Sequence, residues 1–194
     1  MIFWTKLRSL SNKLFFRMDS VGYNLTPLPD AYGVLRLARP PKDFAEKGNI
    51  LAIQLEEEFI LSSDDKTSVP PHLSVWVDSL TTPEQAYKFL SENSPRKLVI
   101  RLKVNEICTI QANSGECVYP HLLKVIWVYL FQEIEGELVR DCRPGADGHS
   151  GITGLDEKSV PAGLTNRQQK NLRKDLRVQL AELASKDYFH IMDS

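Results

Sequence analysis

The chain has 194 residues, 42% hydrophobic and 25% charged, with a formal net charge of −1. That composition excludes a disordered chain. No apolar run reaches the roughly 18 residues of a bilayer-spanning helix, and the near-neutral balance removes whole-protein attraction to nucleic acid. At this length roughly 70% of the unfolded chain's surface can be buried, so the core needs neither disulfide nor metal.

The first element is an amphipathic helix over residues 1–18, where Phe3, Leu7, Leu10, Leu14 and Met18 make one apolar stripe flanked by Lys6, Lys13 and Arg17. It packs on the chain's own core or on a partner subunit. Met18 offers an alternative start. The opening residues lack the apolar core and cleavage site of a secretory signal, so the cytoplasm is the expected compartment. Gly22, Pro27 and Pro29 then read as an irregular lead-in.

Tyr32 to Ala38 reads as a strand, closed by Arg39, Pro40 and Pro41. Asn49 to Leu61 reads as a strand followed by a turn or short helix, and Ser62 to Pro71 as a solvated loop. Leu73, Val75 and Val77 alternate with Ser74, Trp76 and Asp78, the pattern of a half-buried strand. Thr82, Pro83 and Gln85 supply an N-cap, a first-turn proline and a capping box for a helix carrying Ala86, Phe89 and Leu90.

Leu98 to Val104 alternates again, and that strand is expected to run on through Glu106 to Gln111 as far as the turn at Asn113, Ser114 and Gly115. Glu116 to Tyr119 begins the return. Leu122 to Phe131, the most hydrophobic run, reads as a buried central strand. A turn at Glu135 and Gly136 leads into an antiparallel strand from Glu137 to Cys142. The glycine-bearing stretch from Arg143 is a loop entering a short strand, Ser150 to Leu155. Thr165 and Gln168 cap a last helix with Leu172, Leu176, Leu180 and Leu183 on one face. The fold expected is one α+β domain around a mainly antiparallel sheet. Residues 21–164 form its core, and residues 1–20 and 165–194 add amphipathic helices.

No phosphate loop, dinucleotide fingerprint, zinc pair or nucleophile elbow is present. Cys108, Cys117 and Cys142 show no metal-type spacing and read as reduced thiols, although Cys108 and Cys117 flank a turn that would bring facing strands together. Of the four histidines, His149 is the candidate ligand group. It sits between Gly148 and Gly151 with Asp147 near enough to orient its ring, or else it is a solvated turn residue. Ser74 faces either solvent or a polar cleft. Arg36, the lone charge of its strand, either faces solvent or grips a carboxylate or phosphate. On the last helix Arg167, Lys170, Arg173, Lys174 and Arg177 form a basic arc, read as a solvated face or as a phosphate contact, with the acidic groups at Glu56 to Glu58 and Glu133 to Glu137 balancing it within the fold or across a dimer.

The segments VLRLARPP, HLSVWV and GHSGITGL resemble those of a loosely defined group of small bacterial proteins of unassigned function. That resemblance implies that Arg36, Ser74 and His149 meet in one cleft. An early-strand arginine followed by a mid-chain strand serine is also similar to ADP-ribosyltransferase-like folds. This similarity implies NAD as the ligand to try first, although the late glutamate of those folds finds no strand here. Two functional readings therefore stand: a non-catalytic protein acting through binding or assembly, homo-oligomeric or with a protein partner through its terminal helices, and a nucleotide-binding enzyme with a cleft at Arg36, Ser74 and His149. Neither nucleic acid nor a membrane is an expected partner.

Overall fold

The computed structural model describes residues 26–41, 50–90 and 95–190; the helix expected over residues 1–18 lies outside them. The order of elements is β1 (Gly33–Ala38), α1 (Ala52–Leu55) continued by a 3-10 turn (Glu56–Phe59), α2 (Ser63–Thr67), β2 (Leu73–Val77), α3 (Pro83–Tyr87), β3 (Leu98–Lys103) and α4 (Val104–Cys108). Then come β4 (Gln111–Ser114), β5 (Cys117–Pro120), β6 (Lys124–Trp127), β7 (Phe131–Ile134), β8 (Glu137–Arg140), β9 (His149–Thr153), α5 (Asn166–Ala184) and β10 (Tyr188–His190).

Six strands form one sheet in the order β10-β3-β1-β2-β9-β6, and every pairing is antiparallel. The expected α+β architecture is the observed one. Period-2 alternation divides the sheet into two faces. Val34, Ala38, Leu73, Val75, Val77, Leu98, Ile100, Leu102, Val125 and Ile152 point into the main core. Leu172, Leu176 and Leu180 of α5 close that core, so the helix spends its apolar stripe inside its own chain. On the other face Leu35, Leu37, Trp76 and Val99 form a smaller cluster under α3, with Ala86 and Phe89 packed on them. The Thr82–Gln85 and Thr165–Gln168 capping boxes both form, which is why α3 and α5 start where their sequences predict.

Several local expectations are corrected. The strand expected from Asn49 is helical instead, because Leu55 and Phe59 recur at helical spacing and both are buried. The loop expected after Ser62 contains α2, where Ser62 Oγ accepts from Asp65 N and Asp65 Oδ2 accepts from Ser62 N at 2.9 Å. β3 stops at Lys103, and Val104 and Ile107 turn their i,i+3 pair inward as α4. The apolar run Leu122 to Phe131 is not a central strand. It splits between β6, at the sheet edge, and the β7–β8 hairpin. The outer side of β6 is covered by the lead-in segment, Leu28 N donating to Val125 O at 2.8 Å and Trp127 N to Thr26 O at 3.1 Å. Cys108, on α4, and Cys117, on β5, are free thiols. No helix among the described residues is long and apolar enough to cross a membrane.

Because α5 completes the core, Leu176→Ala is expected to cost about 2–5 kcal/mol of unfolding free energy. Denaturant unfolding checks this, and a loss near zero would detach the helix from the domain.

Candidate functional site

Arg36 is neither on an exposed face nor in an open cleft. Its register with Ile100 sends it toward the main core, and it is only 3% exposed. The guanidinium leaves β1 just past the last registered β1–β2 pair, Leu35 with Trp76. There Nη1 donates to Ser74 O at 2.8 Å and Nη2 to Glu58 O at 3.2 Å. Nε is buried without a partner. Burial pulls the guanidinium down to about 10, while the nearby Asp65 carboxylate opposes that fall. The resemblance implies that Arg36, Ser74 and His149 meet in one cleft; Arg36 reaches only the backbone carbonyl of Ser74, and His149 pairs with Trp76 of the other face's cluster.

His149 is the first residue of β9, opposite Trp76, and is 5% exposed rather than a solvated loop residue. Its Nδ1 lies 2.9 Å from Val128 O. A carbonyl can only accept, so Nδ1 carries the proton and Nε2 is the ring's acceptor. His72 Nδ1 stands 2.8 Å from Pro70 O and is fixed the same way. The two rings meet edge to face at 6.0 Å, His149 meets Trp76 at 5.3 Å, and Trp76 stacks on Phe89 at 6.5 Å. Arg143 closes this column over Phe89 at 4.6 Å, held by the buried Asp141 at 2.6 Å. Gly151 is required beneath it, since a Cβ there would lie 2.5 Å from the His72 ring. Asp147 does not orient His149. Its exposed carboxylate pairs with Arg140 at 2.7 Å.

Burial pushes the His149 imidazole down to about 4, the Val128 carbonyl opposing and His72 adding to the fall. Burial also lowers His72. Both histidines are therefore neutral near pH 7.

The basic arc of α5 divides. Arg167, Lys170 and Lys174 are exposed. Arg173 and Arg177, one turn apart, instead line a cleft of about 330 Å³ between α5, residues 59–71 and the turn at residues 155–158. Phe59, Leu61 and Leu155 form its buried apolar floor, and Lys66 and Lys158 add two cations to its wall. Arg177 Nη2 reaches Glu56 at 3.4 Å and Arg173 Nη1 reaches Glu157 at 3.2 Å, while both Nε atoms are buried without partners. Residue order missed this cleft because its walls come from three distant stretches. The sequence shows the arginines and the balancing Glu56, but not the apolar floor or the two lysines.

Among the described residues no group of three or more His, Cys, Asp or Glu side chains is placed to hold a metal ion. Comparison with known proteins finds no matching family model and no significant match among curated proteins or solved structures.

The depressed histidine sets a pH dependence. Unfolded, His149 takes up its proton near pH 6.5; folded, it does so only near 4. Stability is thus complete above about pH 6.5 and falls as pH drops through that window, by up to roughly 3 kcal/mol. In His149→Asn the slope between pH 6.5 and 4 should shrink in denaturant titrations. An unchanged slope would place the lost protons elsewhere.

Proposed function

We propose that the protein acts by binding, and that its ligand is a small anionic molecule with an apolar body held in the cleft beside α5. The observation that carries this reading is the meeting of Lys66, Lys158, Arg173 and Arg177 around the apolar floor of Phe59, Leu61 and Leu155. An apolar pocket fixed in orientation by a few convergent polar groups is the usual form of a small-ligand site. Guanidinium forks suit carboxylate and phosphate oxygens. Arg36 is less suited to that task, because both of its Nη groups are committed to backbone carbonyls.

Thermal unfolding with phenyl phosphate, inorganic phosphate and benzylamine tests the reading. A ligand at a hundred times its dissociation constant adds about 2.7 kcal/mol. Phenyl phosphate should stabilise most and benzylamine not at all, and Arg177→Gln should remove the effect. Stabilisation by none of the three would end the proposal. NAD belongs in the same series: a shift with NAD that survives Arg177→Gln would place nucleotide binding outside this cleft.

A further inference from the structure

The two cleft arginines are not held alike. Arg177 is paired with Glu56, whose side chain is 15% exposed and rooted in the 3-10 turn between α1 and α2. Arg173 is paired with Glu157, whose side chain is 79% exposed. That exposure makes the second pair the weaker one, since an exposed ion pair gains little from its surroundings and is screened by salt. Yet Glu157 is not placed at random. Asp156 pins the turn beneath it, Oδ1 accepting from Lys158 N at 2.8 Å and Ser159 N at 3.2 Å, and Oδ2 accepting from Ser159 Oγ. The pinned turn holds Glu157 and Lys158 side by side in the lining of the cleft.

We infer that Glu157 is an internal competitor: its carboxylate stands on Arg173 where the ligand's acidic group would bind, and the ligand enters by displacing it. The inference rests on the binding reading above and adds the order of events within that site. Arg177 and Glu56 form the fixed wall. Arg173 is the group exchanged between the chain's own carboxylate and the ligand's. Lys158 remains beside the incoming charge after Glu157 swings away. The chemistry selected is a phosphate or carboxylate on an apolar body, because only an anion can replace Glu157 and only an apolar body covers Phe59 and Leu61. An inorganic ion has no apolar contact to offset the displacement of Glu157.

Calorimetric titration of the full chain with phenyl phosphate tests this. Glu157→Gln should tighten binding roughly two- to fivefold, the span an exposed pair can supply. Glu137→Gln removes the same charge from β8, outside the cleft lining, and should leave affinity unchanged. Arg173→Gln should abolish the titration. If phenyl phosphate binds, Arg173→Gln abolishes binding, and Glu157→Gln is no tighter than wild type, the competitor is refuted while the binding site stands. If Glu137→Gln tightens binding as much as Glu157→Gln, the gain is long-range charge and the competitor is again refuted. If phenyl phosphate binds neither wild type nor Glu157→Gln, the binding site itself falls and the competitor with it.

Discussion

One buried guanidinium joins the parts of this structure. Arg36 rises from β1, near the middle of the sheet, and ties together the backbone of β2 at Ser74 and of the 3-10 turn at Glu58. That turn also carries Glu56, which anchors Arg177, and Phe59, which floors the cleft. The centre of the sheet and the wall of the cleft are therefore fixed to each other through one side chain. Holding a charge at 3% exposure opposes folding, as the fall of Arg36 to about 10 records. Two charge-assisted hydrogen bonds and the nearby Asp65 offset that cost. Removing the fork would leave two inward carbonyls short of a donor.

The opposite face carries a different kind of polar core. His72 and His149 are kept neutral by burial and oriented by Nδ1 donation to backbone carbonyls, each committed to one tautomer. Their rings extend the aromatic contact from Phe89 and Trp76 across Gly151. This arrangement accounts for the glycine-framed histidine segment without a ligand. The glycine admits the His72 ring, and His149 is the buried start of a strand. The basic cleft, by contrast, combines cations with an apolar floor.

How much of this was legible depended on range along the chain. Capping boxes are local chemistry, so α3 and α5 could be read from Thr82–Gln85 and Thr165–Gln168. Alternation revealed β2 and β3 for the same reason, and a short apolar run closed by prolines revealed β1. The Ser62–Asp65 box is the same device with the shorter aspartate, and a polar stretch hid it. The apolar run from Leu122 misled because hydrophobicity reports burial, not position in the sheet. Its edge is covered by residues 26–28, about a hundred residues earlier. β10 is too short to carry a periodic signal. Of the candidate residues, Arg36, Ser74 and His149 were expected in one cleft; Arg36 instead braces the backbone of Ser74, and His149 lies with Trp76. Asp147 and His149 are sequence neighbours whose side chains go to different partners. Arg173 and Arg177 were visible as charges, but what they line depended on tertiary packing.

The unfolding free energy of Arg36→Lys tests the central claim most directly. Lysine keeps the charge and replaces the planar fork with a shorter-reaching point donor. If the fork braces β2 and the 3-10 turn, the variant should lose about 2 kcal/mol or more in denaturant titrations near pH 7. A loss below about 0.5 kcal/mol would show that neither carbonyl depends on the fork, and would contradict this account.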